Sequence, residues 1–114
     1  MFAAIEESLD QMGERAAGEL LRLAHEHRKV EPEWIAFDAW GRHVDEVRVN
    51  AAWRRYREVA AEDGLIATGY ERRFASHSRV HQFALVYLFA PSSQVYTCPL
   101  AMSDGAARTL ETLA

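Results

Sequence analysis

Apolar positions in the first 27 residues recur at steps of three and four: Ile5, Leu9, Met12, Ala16, Leu20 and Leu23. That spacing lines one face of a helix and predicts an amphipathic helix from Ala3 to about His27. Glu6, Glu7 and Asp10 near its start, and His25, His27, Arg28 and Lys29 at its end, complement the helix macrodipole. Gly13 and Gly18 each cost about 1 kcal/mol relative to Ala in a helix interior, so they either weaken the helix or admit a neighbouring backbone.

Glu31-Pro32 ends this period. From Trp34 to Val49 the pattern reads as an irregular extended pair around the Gly41-Arg42 turn. Trp34, Phe37 and Trp40 suit helical spacing as readily as extended spacing, so the stretch is predicted as a long ordered connection with hairpin character. Asn50 is an N-cap for an amphipathic helix over Ala51 to Asp63, with Trp53, Tyr56, Val59 and Ala60 inward and Gly64 as its stop. Leu65 to Phe74 reads as a connection. Val80 to Ala90 is nearly all apolar, which predicts a helix buried on most sides. Pro91 ends or kinks it, and Ser92-Ser93 can cap a continuation through Thr97. A last helix begins near Cys98-Pro99 and runs through Leu100, Ala101, Ala107, Leu110 and Leu113. Its pattern meets no Gly, Pro or polar stop before Ala114, so the expectation is a domain truncated at its C-terminal end. The predicted class is all-α: a helical-bundle domain over residues 1–114 with one long irregular or hairpin-like connection around residues 30–50.

Composition narrows what such a domain does. At 114 residues the chain suits one domain, and 49% hydrophobic against 26% charged residues removes it from the disordered class. A net charge of −4 lacks the positive field that drives non-specific nucleic-acid binding, so no nucleic acid is expected for this segment. The single cysteine, Cys98, excludes an internal disulfide and suits a reducing, cytoplasmic location. The N-terminus lacks a basic signal-like region, and an eleven-residue apolar run cannot span a membrane. Twelve arginines against the lone Lys29, with 19 alanines, point to a GC-rich bacterial genome.

Few residues offer chemistry. His25-Glu26-His27 and the pair His77/His81 have metal-like spacing, yet helix-end cations and solvated histidines account for them equally well. Cys98 with His81 would be a nucleophile and base, but a lone Cys beside Pro in an apolar stretch reads as a small buried hydrophobe. Glycine-rich phosphate loops, GxSxG elbows and HExxH helices do not occur. Arg54-Arg55-Tyr56-Arg57 and Arg72-Arg73 are diluted by Glu58, Glu62, Asp63 and Glu71, as on a salt-bridged surface. The small residues Ala101, Gly105 and Ala106 give the last helix a face suited either to close helix packing or to a flat apolar ligand.

Two tracts carry a resemblance. Tyr96-Thr97-Cys98-Pro99-Leu100-Ala101-Met102-Ser103-Asp104-Gly105-Ala106, preceded by the apolar helix Val80 to Phe89, resembles the last helices of the N-terminal helical domain in the acyl-CoA dehydrogenase superfamily. Phe37 to Trp53 is similar to the adaptive-response, AidB-like branch, with Ala51-Ala52 where that branch often has proline. The resemblance implies the N-terminal domain of a flavoprotein whose middle β and C-terminal helical domains are absent here. In the whole protein it implies FAD in the cleft between domains, an acyl-CoA-type substrate and an assembly of identical subunits. There a carboxylate takes the α-proton and the flavin accepts the β-hydride. The flavin-binding Gly-Gly-Ser-Asp run and the catalytic carboxylate belong to the other domains, so no catalytic, cofactor-binding or metal residue is assigned in this chain, which is expected to be inactive alone. By position the last helix would border the acyl pocket, with Thr97, Met102 and Ser103 as wall residues. The competing expectation is a non-catalytic helical interaction module that presents the same apolar helix to a partner.

Overall fold

The computed structural model describes residues 1–114. The first predicted helix forms as α1 (Phe2–Arg15), a wider π-type turn (Ala16–Leu20) and α2 (Leu21–His27). Met12, Ala16 and Leu20 are buried on the expected face. A side chain added at Gly13 or Gly18 would meet nothing within 4 Å, so no backbone packs against either glycine. Their role is the weakening one, and Gly18 lies inside the π-type turn, where hydrogen bonding departs from the α pattern. The Ala16 carbonyl in that turn accepts a buried hydrogen bond from Ser92 Oγ at 2.7 Å. That bond ties the turn to the far end of the chain.

Residues 30–50 contain regular strands, so the domain is mostly helical but not purely all-α. Strands β1 (Glu33–Phe37) and β2 (His43–Arg48) pair antiparallel, with Trp34 opposite Val47 and Phe37 opposite His43. The register slips between Ile35 and Phe37, where Asp45 adopts a left-handed conformation at φ 47°. Asp38 organises the turn: its carboxylate accepts from the Trp40 and Arg42 backbone N–H groups at 2.9 Å each and from Arg42 Nε at 3.0 Å. Gly41 supplies the positive φ of 75°. Local turn chemistry, invisible to hydrophobic period, thus makes the hairpin.

Helix α3 (Ala51–Glu62) starts at Asn50, whose Oδ1 accepts from the Trp53 backbone N–H at 2.8 Å, and stops before Gly64 at φ 60°. The segment read as a connection contains a short helix, α4 (Ala67–Glu71). Helix α5 (Ser78–Phe89) differs from its sequence reading: Val80, Phe83 and Tyr87 are exposed, and the helix is buried along one face only. Ser92 and Ser93 do not cap a continuation, because Ser93 Oγ donates back to the Ala90 carbonyl at 3.0 Å and a turn runs to α6 (Thr97–Leu113). In α6 only Leu100 is buried. The small positions Gly105 and Ala106 are exposed, so the close helix packing considered for them does not occur within this chain.

The core is a band of Met12, Leu20, Ala52, Tyr56, Val59, Leu65, Leu85, Phe89, Tyr96 and Leu100. Tyr56, Phe89 and Tyr96 pack their rings at mutual centroid distances of 6.1 to 6.4 Å, and Trp53 meets Tyr96 edge-on at 4.8 Å. This band fixes the base from which α5 and α6 diverge.

Candidate functional site

The divergence of α5 and α6 leaves an open, mainly apolar groove of about 590 Å³. Ile66, Phe83, Val86, Val95, Cys98, Leu100 and Ala101 line it, with Gln82, Gln94, Thr97 and Asp104 as its polar members. Its floor follows from the core, since Leu100 packs inward beside Tyr96 while Phe83 and Val95 remain largely exposed at the rim.

A polar clamp sets the groove's width. Asp104 of α6 accepts from Tyr70 Oη at 2.5 Å, from Arg79 at 2.9 Å and from Gln82 Nε2 at 3.5 Å, so α6 is pinned to α4 and α5 together. Burial pushes the Asp104 carboxyl up, but the hydrogen bonds from Tyr70 and Arg79 outweigh it and hold the group below the ordinary aspartate range. Arg79 also lies over the Tyr70 ring, 4.7 Å from its centroid. Gly69 allows this approach: a Cβ there would stand 2.2 Å from Gln82 Oε1. Arg72 pairs with Glu111 about two turns further along α6. Gln94, held left-handed at φ 54°, lines the groove with a buried Nε2 that has no partner.

The three residues expected as pocket wall do not share one surface. Thr97 lines the groove, Ser103 faces a shallower hollow beside Gly64, Ala67 and Tyr96, and Met102 is exposed. Steps of five and six residues on a helix point in separate directions, which explains the dispersal. Phe83, Gln94, Tyr70 and Asp104 escaped the sequence reading. Gln82, a polar residue inside an apolar run, was the available signal for the clamp, because a buried amide needs partners.

The remaining candidates resolve plainly. Groups of three or more metal-ligating side chains do not occur. His77 is exposed with its ring tilted against Phe2, whereas His81 is buried against Ser8, so the pair does not converge. Cys98 is exposed rather than buried and lines the groove, while His81 lines a different cavity. Arg55 bonds Glu19, Glu58 and Glu62, and Arg73 pairs with Glu71, giving the salt-bridged surface expected. No helix is long and apolar enough to cross a membrane.

Comparison with known proteins places this geometry. Residues 2–114 match the model of the adaptive response protein AidB N-terminal domain. Acyl-CoA dehydrogenase family member 11 of Caenorhabditis elegans is 34% identical over 113 residues, 98% of this chain and 18% of that protein. Among solved structures, the apo form of Bd2924 superposes with a TM-score of 0.91 at 45% identity, covering 96% of this chain and 22% of that one. C. elegans ACDH-11 in complex with C11-CoA gives a TM-score of 0.88 at 34% identity, covering 98% and 19%. The chain thus spans about a fifth of the length of these relatives. With a family match running nearly end to end, the chain belongs to the AidB N-terminal domain family, within proteins related to acyl-CoA dehydrogenases.

Proposed function

We propose that this chain is the N-terminal helical domain of an FAD-dependent acyl-CoA dehydrogenase-like oxidoreductase, inactive alone, and that its α5–α6 groove forms one wall of the acyl and flavin cleft in the whole protein. The observation that carries the reading is the groove itself, an open apolar channel of about 590 Å³ whose width is held by the Asp104 clamp. A relative of the same fold has been solved with C11-CoA, a long acyl thioester. In this reading Thr97 touches the acyl chain from the groove, while Met102 and Ser103 meet the neighbouring domains or an identical subunit across the exposed length of α6.

The residues present suit a wall and not a dinucleotide grip. The groove's one charged group is a carboxylate already committed to Tyr70 and Arg79, which would repel a diphosphate rather than hold it. The flavin, when bound by the other domains, supplies hydride acceptance. The side chains here supply apolar contact and exclusion of water from the reacting thioester.

The test compares the longer protein with this domain. The longer protein should bind FAD, and long-chain acyl-CoA should bleach its flavin absorbance, whereas the 114-residue chain should remain colourless. Ala101→Trp, which fills the groove, should raise KM for long acyl chains about tenfold, the scale of one lost contact set near 1.4 kcal/mol. Unchanged kinetics in a folded Ala101→Trp protein would remove the groove from the acyl site. The second reading, a non-catalytic interaction module, draws on the exposed Val80, Phe83 and Tyr87 of α5. It prevails if the longer protein holds no flavin.

A further inference from the structure

The space between α5 and α6 continues past Asp104. It opens there into a second hollow of about 330 Å³, which shares Phe83, Ala101 and Asp104 with the groove and adds Arg79, Gly105 and Arg108. Two facing stripes build this channel. On α5, Arg79, Phe83 and Val86 recur at steps of four and three, and on α6, Thr97, Ala101, Gly105 and Arg108 recur at steps of four, four and three. Each set therefore lies on one helix face. The helices run antiparallel, because Arg79 and Gln82 near the start of α5 donate to Asp104 in the middle of α6. Both stripes thus end in an arginine at the same open end, and the opposite end, around Val86, Val95 and Thr97, carries no charge.

The charges at the open end do not cancel. Asp104 is matched by Arg79 at 2.9 Å. Glu111 is matched twice, by Arg108 at 2.6 Å and by Arg72 just after α4. Three guanidinium groups meet two carboxylates, and one positive charge is left over. Arg79 and Arg108 keep 38% and 62% of their side-chain surface in solvent. Only Nη1 of Arg108 has a protein partner, so the rest of its donor fork is free to take both oxygens of a further carboxylate. A phosphate monoester, at about −1.5 to −2 charges, exceeds what one surplus cation offsets and would press against Asp104.

We propose that this channel takes acyl thioesters whose chain ends in a second carboxylate, the carbons lying along Val86, Phe83 and Ala101 and the far carboxylate resting on Arg108 beside Arg79. The proposal rests on the reading of the groove as an acyl wall and adds the substrate class. Along α6, Arg108 stands about 16 Å beyond Thr97 at the helical rise of about 1.5 Å per residue. That span suits a chain of about a dozen carbons, whose bonds of about 1.5 Å advance less than their length in a zigzag.

The probe is monomethyl dodecanedioate, whose ester stands in for the thioester, titrated below its micelle threshold into the 15N-labelled 114-residue chain at about pH 7.5, where the acid is ionised. Methyl 12-hydroxydodecanoate, uncharged at the far end, is the control. Expected are saturable shifts of the Arg108 Nε resonance and of the Ala101 and Gly105 amides, with roughly millimolar affinity for this single wall. The half-acid should bind about tenfold more tightly than the control, the scale of one charge-assisted bond. Arg108→Gln should bring that ratio near one, and Arg108→Lys, which keeps the charge, should retain part of it. Ala101→Trp should weaken both esters alike and leave their ratio unchanged. Ala101 and Arg108 are exposed, so neither change threatens the fold. Equal affinity for the two esters, or an undiminished ratio in Arg108→Gln, would overturn the far-carboxylate assignment and leave the groove an acyl wall. Binding of neither ester, or affinities that Ala101→Trp does not alter, would remove the acyl wall and the proposal with it.

Discussion

Tyr56 carries its hydroxyl into the middle of the core, fully buried, where Oη finds no partner and burial pushes its pKa up. Tyr56→Phe keeps the ring contacts with Phe89 and Tyr96 and deletes the orphaned oxygen, so it should raise stability by about 1 kcal/mol in urea unfolding. Phe89→Ala, in the same cluster, should cost about 3–5 kcal/mol, much of the stability of an ordinary domain. His81 sets the pH dependence. Burial lowers its pKa below the ordinary value of 6.5, so the folded chain holds it neutral while the unfolded chain takes up a proton first. Stability is therefore complete above about 6.5 and falls as pH drops through that value and below. Thermal unfolding followed from pH 7.5 to about 5.5 should show a falling midpoint, and His81→Gln should flatten that slope.

At the scale of elements, α4, α5 and α6 are joined by a clamp rather than by a broad apolar seam. Gly69→Ala would ordinarily help a helix by up to about 1 kcal/mol. Here the added Cβ meets Gln82 Oε1 at 2.2 Å, and the net effect should be a loss of about 1–2 kcal/mol. Asp104→Ala strands the Tyr70 hydroxyl and Arg79, and should speed amide hydrogen exchange throughout α6 while leaving α1 and α3 protected. Met102→Ala, on the same helix but exposed, should alter neither. None of this clamp was readable as a motif. Tyr70, Arg79, Gln82 and Asp104 are scattered over 35 positions, and each alone resembles an ordinary surface or cap residue. The hairpin was half legible: Trp34 to Val49 signalled extended chain, but its pairing depends on the Asp38 turn and the Asp45 bulge, which no hydrophobic alternation encodes.

The molecule as a whole is flat and open. Its radius of gyration is 16.9 Å and its extents are 56 × 39 × 16 Å, against about 13 Å expected for a compact chain of roughly 100 residues. Only 18 of 114 residues are buried, and large apolar side chains stay exposed on α5 and on the hairpin, among them Tyr87 at 78% and Trp40 at 80%. Such a surface should drive concentration-dependent self-association of the isolated chain in sedimentation experiments. Phe83→Lys with Tyr87→Glu should return it to a monomer, and a wild-type chain that sediments as a monomer at all concentrations would refute the expectation.

The sequence by itself determined the helices with a strong period and clear caps: α1 with α2, α3 behind Asn50, and the start of α6 to within a residue or two of Cys98-Pro99. These are local outcomes, fixed by spacing within a few turns and by one side chain bonding one backbone amide. It also carried the family, through contiguous tracts. Only the tertiary structure decided which face of α5 is buried, that Thr97, Met102 and Ser103 point apart, that Cys98 is exposed, and that Asp63 and His81 meet one cavity. An apolar run reads the same whether neighbours cover it on one side or on all. Burial and the convergence of distant polar groups arise from how elements pack, and no local period records that.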